Sequence, residues 1–348
     1  MVEKPKQSAL VIAPGRGTYA KTELGYLARH HGDRADMIAR FDAARAVKGQ
    51  PSLTELDGAE RFSNSLHLRG DVAAPLIYAA SYLDFLAIDR SKVDVVAITG
   101  NSMGWYSALA CGGAVSGDDG FTIADAMGVN SQAHGPGGQM VVTVVDEDWR
   151  EVPGLRAAII DLCARISARA GHVAALSIDL GGMLVLAGDA AGMKALAAEL
   201  PEMPGRAPLP LAGHGPFHTP LMHESSARAK AQLGTATLGA PDVPLVDGRG
   251  AIWRRFASAP AALWDYTFGH QILAAYNFTR AVQVAVREFA PDRVILLGPG
   301  DTLGGAIAQA LIAIGWRGLA SKADFVARQA SDPLLISMGR DGQREIVT

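Results

Sequence analysis

The apolar run Val93-Asp94-Val95-Val96-Ala97-Ile98 leads through Thr99 into Gly100-Asn101-Ser102-Met103-Gly104 and out into the alanine-rich stretch from Trp105 to Cys111. A serine flanked by glycines at this spacing, between a strand and a helix, fits a nucleophile elbow. Gly100 permits the sharp turn, Gly104 lets the helix start close behind, and the Ser102 hydroxyl stands above the sheet edge. Such a serine does acyl chemistry, forming a covalent ester that divides one difficult step into two easier ones. The Met103 N–H, at the positive end of the new helix, is suited to stabilise an oxyanion. The same string also describes an ordinary strand-turn-helix corner in which Ser102 only caps the helix. As a nucleophile, Ser102 needs a base to take its proton, and an imidazole titrating near neutral pH suits that task. The chain holds nine histidines, so residue type alone does not select one.

The elements that must position this serine follow an α/β pattern, in which short apolar runs alternate with alanine-rich amphipathic stretches. Ser8 to Ile12, Val93 to Ile98 and Arg293 to Leu297 read as buried strands of a largely parallel sheet. Ala73 to Leu86, Trp105 to Cys111, Leu221 to Leu233 and Tyr276 to Glu288 read as helices. The middle of the chain has another rhythm. A strand from Gln139 to Val145, a helix from Trp149 to Ala170, strands Val173 to Ile178 and Met183 to Ala187, a helix from Ala190 to Leu200 and a closing strand from Ala207 to Leu211 give a ferredoxin-like β-α-β-β-α-β order. The segment from Ser321 to Thr348 reads as polar and irregular.

With 348 residues, 49% of them hydrophobic and 19% charged, the chain can bury a large core. A formal charge of -3, with no basic cluster interleaved with aromatics, argues against nucleic acid as a partner. The two cysteines, Cys111 and Cys163, give neither a disulfide framework nor a metal-ligand spacing, and read as packed thiols. The stretch Met1 to Ser8 leads into a strand with no apolar span of signal-peptide or membrane length, so the expectation is a cytoplasmic protein without a membrane contact.

The stretch Gly100 to Ala114 resembles the Gly-His-Ser-Leu-Gly-Glu-Tyr-Ser-Ala-Leu signature of malonyl-CoA:acyl carrier protein transacylases and related acyltransferase domains. Other stretches agree in order. Ala13-Pro14-Gly15-Arg16-Gly17 resembles the N-terminal Pro-Gly-Gln-Gly loop of that family, and Ala74 to Tyr82 resembles the helix before the elbow. Gly215-Pro216-Phe217-His218-Thr219-Pro220-Leu221-Met222 resembles the motif of the catalytic histidine, and Val294 to Gly300 the C-terminal strand with its Gly-Pro-Gly turn. The resemblance runs from about residue 8 to residue 315 and is specific because the motifs are co-linear.

It implies an α/β-hydrolase-like large subdomain (residues 1–137 and 212–320) with an inserted ferredoxin-like small subdomain (138–211) and a tail (321–348), the active site lying between the subdomains. It also implies roles. Ser102 would be the nucleophile and His218 its base, held by a backbone carbonyl near Gln271, for which a solvated helix-start residue is the competing reading. The main-chain N–H groups of Met103 and Arg16 would form the oxyanion hole, with Phe217 beside the substrate. His214 and His223 read as loop or surface residues. Where the chain carries Arg16 the family usually has glutamine, and the guanidinium is suited either to an acyl carboxylate or CoA phosphate, or simply to water.

Three departures concern the acyl pocket. Counted from Ser102, the family's malonyl-binding arginine falls on Met127, an apolar thioether in place of a fork that would grip a carboxylate. Asn101 replaces the usual histidine before the serine, and Trp105 replaces the usual glutamate, where its indole would reshape the pocket entrance. The resemblance therefore implies an acyltransferase that carries malonyl by family default, or acetyl or another monocarboxylic acyl group because of Met127, from acyl-CoA to the phosphopantetheine thiol of an acyl carrier protein. The alternatives are a hydrolase that frees acyl groups from carrier protein with the same Ser-His pair, and a non-catalytic carrier-binding module. This chemistry calls for no metal or organic cofactor, since the thioester is already activated, and a monomer is the family's usual state.

Overall fold

The computed structural model describes residues 6–132, 136–201 and 206–348. Its strands are β1 (Gln7–Ala13), β2 (Val93–Gly100), β3 (Gly137–Thr143), β4 (Ala174–Leu180), β5 (Met183–Asp189), β6 (Leu209–Pro210), β7 (Leu245–Val246), β8 (Ile252–Trp253), β9 (Tyr276–Asn277), β10 (Arg293–Leu296) and β11 (Leu335–Ser337). They form a six-stranded sheet in the order β11-β10-β1-β2-β7-β8 and a five-stranded sheet in the order β6-β3-β5-β4-β9. The large sheet is parallel apart from the β7–β8 pair.

Parallel strands covered on both faces must be apolar on both faces, and β1 obeys this. Ala9, Val11 and Ala13 enter one apolar cluster with Ile98 and Ile295, while Leu10 and Ile12 enter a second with Ala97, Val294 and Leu296. Residues alternate between the clusters because side chains on a strand point to opposite faces in turn. The ladder slips between Ala9 and Leu10, whose partners on β2 are Val95 and Ala97. The extra residue lets Val95 and Ile98 share a face.

In the small sheet, β3 pairs antiparallel with β5 and β6, and β5 with β4. The helices between them, α4 (Leu155–Ser167) and α5 (Ala190–Glu199), bury Ile159, Leu162, Ile166 and Leu196 against Met140, Val142, Leu184 and Leu186. Here the ferredoxin-like order is realised, and the fold is an α/β-hydrolase-like large layer with this smaller sheet inserted. Strand β9 belongs by sequence to the large part but pairs with β4, so it stitches the two sheets together. The helices of the large part that bear on the site are α1 (Gly70–Ala87), α2 (Gly104–Cys111), α3 (Gly117–Asn130), α6 (His223–Gln232), α7 (Phe278–Phe289) and α8 (Gly304–Ile312).

Several expectations need correction. The helix expected from Trp149 starts only at Leu155: Trp149 has a positive φ of 64°, Pro153 disfavours a helical residue before it, and Gly154 takes the left-handed conformation at the cap. The helix expected from Tyr276 starts at Phe278, because Tyr276 and Asn277 are strand. The helix expected from Leu221 opens as a 3-10 turn over Pro220–Met222.

The segment from Ser321 to Thr348 is ordered. It forms α9 (Lys322–Ser331), the edge strand β11 and the short helix α10 (Asp341–Arg344), and buries Leu334, Leu335, Ile336, Met338 and Val347. Arg344 reaches Asp84 at 2.5 Å, where the same carboxylate receives the Tyr26 hydroxyl and the Gly298 N–H. Removing one partner of such a buried pair costs about 3–5 kcal/mol, so this terminal segment helps to hold the Gly298 turn. Among the described residues no helix is long and apolar enough to cross a membrane.

Candidate active site

β2 ends at Gly100 and α2 begins at Gly104, leaving Ser102 at the corner with a φ of 54°. A non-glycine residue held there stores strain, a feature concentrated at functional sites. The flanking glycines are required by close backbone approach. A Cβ on Gly100 would lie 2.3 Å from the Gly104 carbonyl carbon, and one on Gly104 would lie 2.3 Å from the Ala13 oxygen at the end of β1.

His218 comes from the loop between β6 and α6 and also has a positive φ, 57°. Its Nε2 lies 2.7 Å from the Ser102 Oγ, and its Nδ1 lies 2.6 Å from the main-chain oxygen of Gln271. A carbonyl can only accept, so Nδ1 carries the proton and the Nε2 lone pair faces the serine hydroxyl. Burial holds the His218 pKa down to about 4, with the Gln271 carbonyl opposing part of that drop. The imidazole is therefore neutral at pH 7 and free to accept a proton.

Gln271 is a buried anchor, and its reading as a solvated helix-start residue is set aside. Its side chain donates from Nε2 to the Ser102 carbonyl at 3.0 Å and accepts the Tyr106 hydroxyl on Oε1 at 3.1 Å. The small subdomain grips the histidine loop from the other side. His214 Nδ1 lies 2.8 Å from Gln139 Oε1, Gln139 donates to Ser177 at 2.6 Å, and Ser177 donates to the Phe217 carbonyl at 2.8 Å. His214 is held neutral, its pKa lowered to about 3 by burial and by nearby Arg16. Tyr106, Gln139 and Ser177 were not singled out in the sequence; the one available signal was that Tyr106 follows Ser102 by one helical turn.

Two cavities meet at Ser102. The smaller, of ≈ 60 Å³, is bordered by Ser102, Met103, His218 and Gln271, by Arg16 and Phe217, and by a wall of Ala74, Met127, Met222, Ser225 and Ile272. The larger, of ≈ 250 Å³, runs toward the small sheet and is bordered by Arg16, Asn101, Phe217, His214 and apolar residues such as Val141, Ile178 and Leu180. Among the described residues, neither the Met103 nor the Arg16 main-chain N–H is spent on another acceptor.

The site residues expected from the sequence thus gather here, with one exception. Trp105 is fully buried beneath α2, donates its Nε1 to Thr267 at 3.0 Å and meets Tyr266 edge-on, so it borders neither cavity. The expectation that it reshapes the entrance is corrected. Of these two cavities Asn101 borders the larger, and among the described residues its side-chain oxygen has no partner.

No protein-family model matches the chain. A malonyl CoA-acyl carrier protein transacylase of Salmonella typhimurium is 23% identical over 300 residues, covering 84% of this chain and 90% of the relative. An acyl-carrier-protein S-malonyltransferase of Burkholderia pseudomallei superposes with a TM-score of 0.75 at 22% identity, covering 98% of each chain. A malonyl-transacylase solved with its polyketide acyl carrier protein gives 0.75 at 18% identity, again over 98% of each chain. These structural likenesses speak for the fold. With the serine elbow, the histidine loop and the curated relatives taken together, the chain is similar over most of its length to the malonyl-CoA:acyl carrier protein transacylases.

Proposed function

We propose that the protein moves a short acyl group from CoA to the phosphopantetheine thiol of an acyl carrier protein through a Ser102 acyl-enzyme. The observation that carries this reading is the relay from Ser102 Oγ through His218 to the Gln271 carbonyl, opening directly on a cavity. His218 Nε2 takes the serine proton as Oγ attacks the thioester carbon. The oxyanion that forms is met by the Met103 and Arg16 N–H groups, in a site where such donors act before reorganisation is needed. As the tetrahedral centre collapses, the C–S bond breaks and His218 returns its proton to the leaving thiolate. A carrier thiol then attacks the Ser102 ester by the same steps in reverse. The complex of a related transacylase with its carrier supports this acceptor.

A cavity of ≈ 60 Å³ suits a short acyl chain, since one water needs about 10–15 Å³ by the same measure. With Met127 in its wall, a monocarboxylic group such as acetyl meets apolar surface, as does the methylene of malonyl.

The test is to present labelled malonyl-CoA, acetyl-CoA and a longer acyl-CoA, and to follow label onto the protein and then to carrier protein or water. Transfer to carrier is expected, and Ser102→Ala should abolish covalent labelling. Persistent labelling of that variant would remove Ser102 from its role, while release to water at the same rate with or without carrier would make the protein a hydrolase.

A further inference from the structure

Arg16 is a half-buried cation in the wall of the cleft. Its Nη2 donates to the carbonyls of Leu68 at 2.6 Å and Gly213 at 2.9 Å, but Nε and Nη1 are buried with no hydrogen-bond partner. Among the described residues no carboxylate pairs with it; the acidic group that acts on it from a distance is Asp71, itself engaged by Arg69. Burial lowers the guanidinium pKa only to about 10, so the charge persists at neutral pH. A buried, unpaired charge with idle donors is costly, and such an arrangement is kept where an anion arrives. Arg16 borders both cavities that meet at Ser102, and the Phe217 ring packs on it with its centroid 5.4 Å from Cζ.

Resting on the acyltransferase reading, we propose that the Arg16 guanidinium is the anchor for a carboxylate at the free end of the acyl group, standing in for the cation that Met127 cannot supply. Nε–H and Nη1–H lie on different edges of the guanidinium plane, so with Nη2 spent on Leu68 and Gly213 the carboxylate is met by one charge-assisted hydrogen bond from an idle donor. Arg16 therefore decides the preference for carboxyacyl over simple acyl donors. The phosphates of CoA bear the same kind of charge, but they lie at the far end of the pantetheine arm, while Arg16 borders the cavity of the nucleophile.

The deciding measurement is the ratio of malonyl to acetyl self-acylation kcat/KM in the wild type, Arg16→Gln and Arg16→Lys. Any loss common to both donors, from the oxyanion loop or from folding, cancels in this ratio. The ratio should fall about 10- to 100-fold in Arg16→Gln, the scale of a charge-assisted hydrogen bond, and only partly in Arg16→Lys, which keeps the charge but loses the contacts that hold the guanidinium in place. Repeating the series with malonyl and acetyl thioesters of N-acetylcysteamine, which carry no phosphate, should give the same fall. An unchanged ratio, a fall seen only with the CoA donors, or a wild type that labels Ser102 with acetyl but not malonyl would each overturn the role of Arg16. Acetyl labelling of Ser102 in that last case would leave the acyltransferase reading standing. Failure of every donor to label the wild type would remove both.

Discussion

The reacting side of the cleft is fixed by hydrogen bonds that leave each group one orientation: Ser102 to His218, His218 to the Gln271 carbonyl, Gln271 back to Ser102, and Tyr106 to Gln271. The opposite wall is built mostly from Ala74, Met127, Met222 and Ile272, which meet a guest through dispersion and shape, with Ser225 as a polar exception. Directional bonds define atoms to a fraction of an ångström, as bond-making requires. A thioether wall tolerates several guests. Under the proposed function, the chemistry would be stringently specified and the acyl group loosely so, except where Arg16 brings charge to the loose side.

The strongest test of this contrast is His218→Ala, which should lower the acylation rate about 10²- to 10⁴-fold for malonyl and acetyl donors alike. A loss confined to one donor would mean that the histidine reads the acyl group. The wild-type pH profile probes the same residue. Only neutral imidazole can take the serine proton, so activity is lost as pH falls through the pKa. With that value lowered to about 4, kcat/KM should stay level between pH 6 and 8 and decline on a limb near 4, where an unperturbed imidazole would put the limb near 6.5. A limb near 6.5 would mean that the imidazole is hydrated in the free protein.

A smaller effect is expected one bond further out. Tyr106→Phe leaves Gln271 Oε1 without its donor, and an unmade buried bond costs about 1–3 kcal/mol. If that cost falls on the pose of the Gln271 carbonyl, kcat drops roughly tenfold with the malonyl-to-acetyl ratio unchanged. A shift in that ratio would show that the tyrosine belongs to the acyl wall.

How much of this was legible in the sequence depends on how far each signal travels along the chain. Gly100 and Gly104 announce the elbow because their role is local: a Cβ added at either would lie 2.3 Å from neighbouring backbone, so no side chain fits. The alternation of β1 is equally local. Trp105 misleads because adjacency is not proximity on a helix. Each residue turns about 100°, so the position beside Gly104 faces the core, while Tyr106 comes round to the cleft. The base-holding group at Gln271 is a carbonyl, which every residue has, and only the family resemblance pointed to its neighbourhood. The segment after Ser321 reads as polar because its ordering depends on Arg344 finding Asp84, 260 residues away, and because its strand, Leu335 to Ser337, is too short to stand out until it pairs with β10.

The smallest effect separates the two ways of supplying charge to the acyl side. If Met127 were the whole reason for weak carboxylate selection, Met127→Arg would raise the malonyl-to-acetyl ratio by the full value of a charge-assisted pair, about 10- to 100-fold. With Arg16 already committed to the carboxylate, a second cation adds less: the two guanidiniums repel and compete for the same oxygens. The change should then be only a few-fold in the wild type and much larger in an Arg16→Gln background. That non-additivity is the coupling expected of residues sharing one ligand. Equal effects in both backgrounds would mean that the two positions act on different parts of the substrate, and that Arg16 does not read the acyl carboxylate.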